Sequence, residues 1–379
     1  MEPSDYEARL GKLREEIDQI DEELLPLFLR RMDCSQRVAQ LKKEAGMPVF
    51  APQREQAILD RVRRRAGKEG EAAASLYSSI MAISRAKQHV LLQGGGPLRE
   101  LEQTAARTLQ REGARVVCQG VPGAFSHRAA LDFFGQITPA FEPSFQGVFE
   151  DVAAGRADFG VLPVENSAAG SVTAVYDLIL RYRFYIVGAV DVKVEHCLAV
   201  GKATGTPNAA VSHPQALSQC SEYLEAHGLR AVEWSNTAAA AQYVAEECPP
   251  GVAAICSKEA AQKYGLTILR ESIQNEAENT TRFVVISKEA ILPEDAGKIS
   301  LCFSLPHVTG SLSSVLERFA LAGLNLTKIE SRPLPGKNFE YDFYLDFTGN
   351  IHQPATLDLI CALRDELPRF SFLGNYSER

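Results

Sequence analysis

A run of regularly spaced apolar residues near the start of the chain constrains the fold more than any other sequence feature. No glycine occurs between Gly11 and Gly46, and leucine or isoleucine recurs at alternating spacings of three and four positions, at Leu10, Leu13, Ile17, Ile20, Leu24 and Leu27. This spacing is typical of a helix whose apolar stripe faces a partner helix. We therefore predict one long helix over residues 5–45.

A positive charge interrupts this apolar stripe. Continuing the spacing beyond Leu27 places Arg31 at the next stripe position. A buried guanidinium without an anionic partner costs about 3–5 kcal/mol, so Arg31 extends to solvent, pairs with an acid on a neighbouring helix, or binds an anionic ligand. Lys42 follows about three helical turns later, on nearly the same face. A second cation on this face favours the anionic ligand.

Arg14 lies on the same predicted helix, but at about 1.5 Å per residue it is roughly 42 Å from Lys42. One small ligand cannot span that distance. If an antiparallel second copy packs with its two-fold axis near residues 23–27, Arg14 of one chain comes beside Arg31 and Lys42 of the other. The sequence therefore predicts a site built across a homodimer.

Composition excludes several classes of function. A chain of 379 residues with 45% apolar residues is expected to form two or three domains. The net charge of −8 argues against nucleic-acid binding, and no apolar run is long enough to span a membrane. The charged N-terminal segment does not resemble a signal peptide, so we expect a cytoplasmic protein. Eight scattered cysteines without a CxxC pair indicate buried free thiols, and we expect neither a metal nor a cofactor.

The rhythm of the chain predicts three domains. Helical patterning continues to about residue 92 and breaks at GGGP, residues 94–97, after which a polar helical linker is expected over about 98–112. Short apolar strands such as RVVCQG, ADFGVLPVEN, YIVGAV and AAVSH then alternate with helical segments, as in an α/β domain. After LPEDAG the predicted order is βαββαβ, a ferredoxin-like α+β domain. The predicted boundaries are 1–93, 94–112 for the linker, 113–290 and 298–379.

Four turns in the α/β domain carry hydroxyl or amide side chains at expected helix starts: GVPGAFSHRAA, VENSAAGSV, VSHPQAL and WSNTAAAA. Free backbone N–H groups at helix starts bind anions. For any single turn, ordinary helix capping by Ser, Thr or Asn is the better explanation. Four such turns in one domain favour an anionic ligand.

The segment LREEIDQIDEELLPLFLRRMDCSQRVAQLKKEAGMPVFAPQRE, with ISRAKQ further on, resembles the all-helical chorismate mutase domain. The resemblance implies an intertwined helical dimer. It also implies a chorismate-binding pocket lined by Arg14 from the partner chain together with Arg31, Lys42, Arg54, Glu55, Ser84 and Gln88.

Chorismate is a dicarboxylate whose rearrangement needs no nucleophile. The pocket has to hold a compact conformer and stabilise the negative charge that develops on the ether oxygen. The resemblance implies that Lys42 and Gln88 donate hydrogen bonds to this oxygen. It implies that Arg14 and Arg31 bind the substrate carboxylates and that Glu55 accepts a hydrogen bond from the ring hydroxyl. Ala51 stands where the family often carries an acidic residue, and Pro26 falls inside the long helix, where proline costs about 3 kcal/mol or kinks the helix.

The strings ENS, SHPQAL followed by QC, and TRF resemble prephenate dehydratase in order and spacing. That family implies two subdomains, similar to a type II periplasmic binding protein, which close over prephenate. Thr281 is then the catalytic donor that protonates the leaving hydroxyl, polarised by Arg282 or by the field of the cleft. The implied prephenate-binding residues are Ser126, Glu165, Asn166, Ser167, Ser212, Gln215, Thr237 and Arg282. For His213, a structural role at a helix start competes with one as general acid.

The βαββαβ segment resembles the ACT domain, which commonly pairs with a copy of itself and binds amino acids at the interface, and NLTKIESRP carries this resemblance. The implied phenylalanine-binding residues are Gly310, Leu312, Asn325, Leu326, Glu330, Ser331 and Arg332. Alternatively, the charged residues of this string form a ladder on an exposed strand. The helix-entry turn GSLSS is more polar than is usual in the family.

Together these resemblances predict a bifunctional chorismate mutase/prephenate dehydratase of phenylalanine biosynthesis, with chorismate and prephenate as substrates and feedback inhibition by phenylalanine. Two rival functions predict different observations. A mutase fused to prephenate dehydrogenase needs a strand–GxGxxG–helix motif, which the sequence lacks. A non-catalytic amino-acid sensor binds without turnover and gives no reason for Arg31 and Lys42.

Overall fold

The computed structural model describes residues 3–92, 95–202, 205–334 and 340–379. The chain divides into two compact units. The first comprises residues 1–103, 303–344 and 352–370, and the second comprises residues 104–302, 345–351 and 371–379. The segment that begins near residue 298 therefore contributes to both units.

The N-terminal region of the first unit is helical. As far as the structure describes it, its helices are α1 (Pro3–Ala45), α2 (Pro52–Ala66), a 3₁₀ turn (Gly67–Glu69), α3 (Gly70–Leu92) and α4 (Gly96–Thr104). The predicted single long helix is confirmed, and it continues through Pro26. Both α1 and α2 pack against α3. The helix predicted over about 98–112 is wrong beyond Thr104, because the following residues form turns, with a β-bridge between Ala106 and Ile291.

The apolar stripe of α1 is exposed, whereas a neighbouring face of the helix is packed within the chain. Met32 and Ala39, each one position away from the stripe, are buried, but the stripe residues Val38 and Leu41 are 44% and 66% exposed. The stripe residues nearer the N-terminus are 50–58% exposed, namely Leu13, Ile17, Ile20, Leu24 and Leu27. A single chain thus leaves a helix-length apolar surface in contact with water.

The second unit contains two β-sheets. Its strands are β1 (Val116–Gln119), β2 (Ala140–Glu142), β3 (Phe159–Asn166), β4 (Gly170–Ser171), β5 (Tyr185–Lys193), β6 (Cys197–Val200), β7 (Ala209–Ser212), β8 (Arg230–Glu233), β9 (Val252–Cys256), β10 (Thr267–Arg270) and β11 (Thr280–Ser287). Its helices are α5 (Phe125–Phe134), α6 (Phe145–Ala153), α7 (Thr173–Tyr182), α8 (Pro214–Gln219), α9 (Ser221–Ala226), α10 (Thr237–Glu247) and α11 (Lys258–Lys263).

The strand order explains how the second unit forms a cleft. The first sheet has the order β2-β1-β3-β11-β5, with β4 paired to β3, and the second has the order β10-β6-β9-β7-β8. The chain leaves the first sheet after β5 and returns to it at β11. Two chain crossings therefore join the sheets, each of which has its own core, around Phe133 and Val161 in the first and around Val211 and Ala254 in the second. This arrangement is the predicted α/β domain of two subdomains.

The C-terminal segment has the predicted order βαββαβ. Its elements are β12 (Lys298–Ser304), α12 (Ser311–Leu321), β13 (Leu326–Pro333), β14 (Tyr341–Thr348), α13 (Pro354–Glu366) and β15 (Ser371–Tyr376). The strand order β13-β14-β12-β15 is that of a ferredoxin-like sheet, and β13 lies at one edge.

All eight cysteines are free thiols. Six of them are buried as predicted, but Cys34 is exposed and Cys248 is half-buried. No helix among the described residues is long and apolar enough to cross a bilayer.

Candidate functional site

A cavity of about 270 Å³, which we call the helical cavity, lies among α1, α2 and α3. Six of the seven residues expected to bind chorismate line it: Arg31, Lys42, Arg54, Glu55, Ser84 and Gln88. Residues far apart in sequence meet here because α2 folds back and packs with α1 on α3.

The helical cavity is strongly cationic. Among the described residues that line it, the cations are Arg31, Lys42, Arg54 and Arg85, and the one carboxylate is Glu55. Burial lowers the pKa of the Arg31 guanidinium and of the Lys42 ammonium, with the nearby Glu55 opposing both shifts. An excess of positive charge in a partly dehydrated site suits a small dianion.

Several polar atoms of this cavity are fixed, whereas others lack a partner. Lys42 Nζ donates to the Val49 carbonyl, and the hydroxyls of Ser35 and Ser84 are hydrogen-bonded to each other. Arg31 Nη1 and Gln88 Oε1 are buried without a hydrogen-bond partner in the described part of the chain. Buried polar groups are rarely left unpaired in a native protein, so these atoms indicate where a ligand contributes.

Arg14 does not reach the helical cavity of its own chain. It is exposed on α1, about 26 Å from Arg31 at the rise of an α-helix. Ala51, which replaces an acidic residue of the family pattern, caps the start of α2 and lines the cavity without contributing charge.

A larger cavity, of about 500 Å³, lies in the second unit between the two sheets, and we call it the inter-sheet cavity. Of the predicted site residues, it is lined by Ser126, Asn166, Gln215, Thr237 and Thr281. The residues that line it within the described chain include no Lys, Arg, Asp or Glu. Any anion bound here therefore depends on neutral donors, such as hydroxyls, amides and the N–H groups at helix starts.

The hydrogen bonds around Thr281 are well defined. Thr281 on β11 pairs with Asn166 on β3, and Asn166 Nδ2 donates to Thr281 Oγ1 at 2.8 Å. Asn166 Oδ1 accepts from the backbone N–H groups of Ala168 and Ala169, which fixes the orientation of the amide. The same Nδ2 also donates to Asn279 Oδ1 at 2.8 Å. Because Thr281 Oγ1 accepts from Asn166, its own proton is available to the cavity.

Four predicted prephenate-binding residues do not line the inter-sheet cavity. Arg282 forms two 2.9 Å hydrogen bonds to Asp191, which raise its pKa, and it follows Thr281 in an extended strand, so its side chain lies on the opposite face. Glu165 alternates with Asn166 in the same way. Ser212 is fully buried and donates to a backbone carbonyl at 2.6 Å. Ser167 accepts from the N–H of residue 280.

The polar turns at helix starts include residues that cap a helix and residues that line the inter-sheet cavity. Asn236 caps α10 by accepting from Ala239, as the capping alternative predicts, and Thr237 follows it at the cavity wall. His213 caps α8, since its Nδ1 accepts from the Gln215 N–H at 3.3 Å. This bond occupies one ring nitrogen of His213 and favours its structural role.

Sequence reasoning missed two further residues of the inter-sheet cavity. His196 is buried, its pKa is lowered by burial, and its Nε2 lies 3.0 Å from Gln219 Oε1. Gln219 follows Gln215 by one helical turn on α8, and this spacing places both on one face. The SHPQAL string followed by QC contains that spacing, but no pattern in the sequence marks His196.

The residues expected to bind phenylalanine lie at two places in the first unit. Gly310 and Leu312 form the start of α12, where Leu312 lines a cavity of about 340 Å³ together with the loop Leu305–Thr309. The others lie at the start of β13 or along it: Asn325, Leu326, Glu330, Ser331 and Arg332. Arg332 Nε lies 2.8 Å from Glu330 Oε1, so these two side chains pair with each other along the strand.

Comparison with known proteins gives two family-model matches. The model for chorismate mutase type II matches residues 13–89, and the model for prephenate dehydratase matches residues 116–291. The bifunctional chorismate mutase/prephenate dehydratase of Aquifex aeolicus (strain VF5) is 33% identical over 373 residues, which cover 97% of each protein.

Two solved structures are similar to more than two thirds of this chain. A prephenate dehydratase from Arthrobacter aurescens in complex with L-Phe is 30% identical, with a TM-score of 0.63, over 69% of this chain and 89% of that chain. GqqA, described as a novel type of quorum quenching acylase, is 31% identical, also with a TM-score of 0.63, over 70% of this chain and 98% of that chain.

Proposed function

The chain belongs to the family of bifunctional chorismate mutase/prephenate dehydratases, and from this premise we propose which of its residues carry each reaction. It is an isomerase that acts on chorismate and a lyase that acts on prephenate. The observation that carries the residue assignment is the gathering of predicted site residues around two cavities, one cationic and one without formal charge.

In the mutase reaction, Arg31 binds a substrate carboxylate, and Arg14 of a second copy binds the other. Lys42 and Gln88 donate to the ether oxygen as negative charge develops on it. Glu55 accepts a hydrogen bond from the ring hydroxyl, and Ser84 and Arg54 complete the pocket. The unpartnered Arg31 Nη1 supports this assignment, because a substrate carboxylate in the cavity would accept its missing hydrogen bond.

The complete mutase site requires a homodimer. The exposed stripe of α1 supports this proposal, since its apolar surface would be buried against the same stripe of an antiparallel copy. The same packing would carry Arg14 across the distance that separates it from the helical cavity of its own chain.

In the dehydratase reaction, prephenate occupies the inter-sheet cavity, with the two subdomains closing over it in the manner of a type II periplasmic binding protein. The bond to the ring carboxylate breaks, carbon dioxide leaves, and the electron pair moves into the ring as the C–OH bond breaks. Thr281 donates its proton to the departing hydroxyl, which leaves as water, and solvent then returns a proton to Thr281 Oγ1. Asn166 stabilises the charge that develops on Thr281 Oγ1, a role that the sequence reasoning had given to Arg282 or to the field of the cleft.

Neutral donors bind the prephenate carboxylates. Gln215 and Thr237 lie at the starts of α8 and α10, and Ser126 lies in the first turn of α5. Ser126 Oγ donates a hydrogen bond to the Gln119 carbonyl at 2.5 Å, so Ser126 contributes to prephenate binding by holding the start of α5 in place. At the start of α8, Pro214 has no N–H and the Gln215 N–H is donated to His213, so the backbone N–H groups proposed for the carboxylates are those at the starts of α5 and α10, beside a cavity whose described lining includes no carboxylate.

Replacing Thr281 with Ala tests this mechanism. Phenylpyruvate formation from added prephenate should fall by about 10²–10⁴-fold, the usual contribution of a general acid, while the consumption of chorismate stays unchanged. Thr281→Ser, which keeps the hydroxyl, is the matched control. Dehydratase turnover near the wild-type rate in the Ala variant would remove Thr281 from the mechanism. Prephenate is supplied directly so that the dehydratase is assayed independently of the mutase. Turnover of prephenate itself has to be measured, because GqqA, which is similar over 70% of this chain, is described as an acylase.

Phenylalanine inhibits the dehydratase through the βαββαβ segment, which we propose is an ACT domain. The L-Phe complex of the Arthrobacter aurescens protein supports the choice of amino acid. The proposed ligand contacts come from the start of α12 and from β13, an edge strand available to a second copy. Calorimetric titration with phenylalanine, in parallel with dehydratase assays, tests the proposal, and the absence of both heat and inhibition would contradict it.

A further inference from the structure

A buried cluster of ion pairs lies in the first unit, beside the helical cavity. At its centre is Glu366, the last residue of α13, whose side chain is 5% exposed. Arg318 Nη1 on α12 donates to Glu366 Oε2 at 2.9 Å, and His89 Nε2 on α3 lies 2.8 Å from Oε1. Arg85, also on α3, places its Nε 3.1 Å from Oε2.

Arg85 joins this cluster to the helical cavity. Its Nη1 donates to Glu55 Oε2, while its Nε lies 3.1 Å from Glu366 Oε2 in an ion pair without a hydrogen bond, so one guanidinium contacts two carboxylates. The guanidinium also lies over the Phe50 ring, 5.3 Å from its centroid. Glu55 and Arg85 line both the helical cavity and a second cavity that reaches α12 and α13, so the pair forms the wall between them.

The charges of this cluster depend on one another. Burial by itself would raise the pKa of the Glu366 carboxyl, but the hydrogen bond with His89 and the charges of Arg318 and Arg85 lower that pKa below its ordinary value. Glu366 is therefore ionised at neutral pH. A buried charge that loses its partner strongly destabilises the folded state. Each charged side chain of the cluster is therefore held close to its partners.

We propose that Glu366 is a positioning residue for the mutase reaction: it holds Arg85, and Arg85 holds the Glu55 carboxylate at the wall of the helical cavity. The inference rests on the proposed role of Glu55 as the acceptor for the substrate ring hydroxyl. Glu55 is surrounded by the cavity cations Lys42 and Arg54, either of which could draw its carboxylate away from that hydroxyl. Without Glu366, Arg85 would also be free to turn towards the cavity and compete for the substrate.

Glu366→Gln in the full chain tests the relay. This change keeps the shape of the side chain and removes its charge. We expect kcat/KM for chorismate to fall by about 10–100-fold, because small misplacements of a contact group have effects of this size. The loss should appear mainly in KM, since Glu55 contacts the hydroxyl before and during the reaction. Circular dichroism reports whether the helical first unit is folded, and dehydratase turnover of added prephenate reports on the second unit.

A matched control lies on the same helix. Asp358 on α13 pairs with Arg99 on α4, apart from Arg85 and from the helical cavity. Asp358→Asn therefore breaks an ion pair of α13 without touching the relay, and its mutase kinetics should stay within about twofold of wild type. Equal loss in both variants would assign the effect to helix α13 as a whole and would overturn the proposal.

Glu55→Gln separates failure of the relay from failure of the proposed site. If Glu366 acts through Glu55, adding Glu366→Gln to the Glu55→Gln variant causes no further loss. Unchanged mutase kinetics in Glu55→Gln would refute the assigned role of Glu55. A loss in Glu55→Gln combined with unchanged kinetics in Glu366→Gln would refute the relay alone.

A charge-balanced variant covers the case in which Glu366→Gln folds poorly. Combining it with Arg318→Met removes one anion and one cation, which costs less than removing either alone, and still leaves Arg85 without its anchor. The same fall in kcat/KM with dehydratase turnover intact supports the proposal. Loss of dehydratase turnover in both variants would assign the cluster to folding and overturn it.

Discussion

The dimeric mutase site predicts that two inactive variants restore each other. Arg14→Ala and Lys42→Ala each remove one cation from the proposed site. In a dimer that contains one copy of each variant, one site loses both cations and the other keeps both. Mixing the variants should therefore recover activity that neither has alone.

The size of the recovery follows from the geometry. Each single variant should lose about 10²-fold or more in kcat/KM, because removing a transition-state donor costs about 10²–10³-fold and truncating one partner of a buried charge pair costs about 2–5 kcal/mol. Random re-association makes half of the dimers mixed, with one intact site in two, so recovery should approach about a quarter of wild type. The signal therefore rises well above either parent.

The assay follows chorismate consumption after the two purified variants are unfolded together, refolded and checked for mixed dimers by two affinity tags. Dehydratase turnover serves as the internal standard for folded protein. Mixing Arg31→Ala with Lys42→Ala is the matched control, because both residues line the cavity of one chain and no site regains both. If mixed dimers form and the Arg14 and Lys42 variants do not restore each other, the antiparallel site is wrong.

Burial lowers the pKa of Lys42 from its ordinary value of 10.5, and the charged form of Lys42 is the active one, so mutase kcat/KM should fall as pH rises through a value below 10.5. Lys42→Arg should shift that fall to higher pH. A pH profile that does not move in this variant would contradict the role of Lys42. Asn166→Asp keeps the acceptor for Ala168 and Ala169 but removes the donor to Thr281, so dehydratase kcat should drop by about 10²–10³-fold, whereas turnover within twofold would show that Thr281 does not need this donor. Pro26→Ala should stabilise α1 by up to about 3 kcal/mol, which is measurable as a higher thermal midpoint by circular dichroism; an unchanged midpoint would mean that the helix accommodates the proline without cost.

Periodic patterns in the sequence were sufficient to predict the main elements. The three-and-four spacing from Leu10 to Leu27 predicted α1, because a helix repeats every 3.6 residues and no glycine occurs between Gly11 and Gly46 to break it. Apolar strands alternating with helices predicted the α/β unit and the βαββαβ order. Boundaries such as the end of α4 at Thr104 were less accurate, because the linker has polar composition but no cap that marks where its helix ends.

Strand alternation would have improved the prediction of the inter-sheet cavity. Thr281 and Arg282 are neighbours in β11, and Asn166 and Glu165 are neighbours in β3. Successive side chains of a strand point to opposite faces, so only one member of each pair can line a given cavity. Likeness to a family motif nominated all four residues, whereas the geometry of the strand distinguishes between them.

The contacts of Glu366 lie beyond what any pattern in the sequence could predict. Its partners Arg85, His89 and Arg318 lie 48 to 281 positions away, and no periodicity relates α13 to α3. In the sequence, Glu366 reads as an ordinary charged residue at the end of an amphipathic helix. Its burial changes that interpretation, because a carboxylate that keeps its charge out of water requires cations held in place around it. One of those cations also contacts Glu55, so the network that keeps Glu366 ionised also determines where this carboxylate can lie at the wall of the helical cavity.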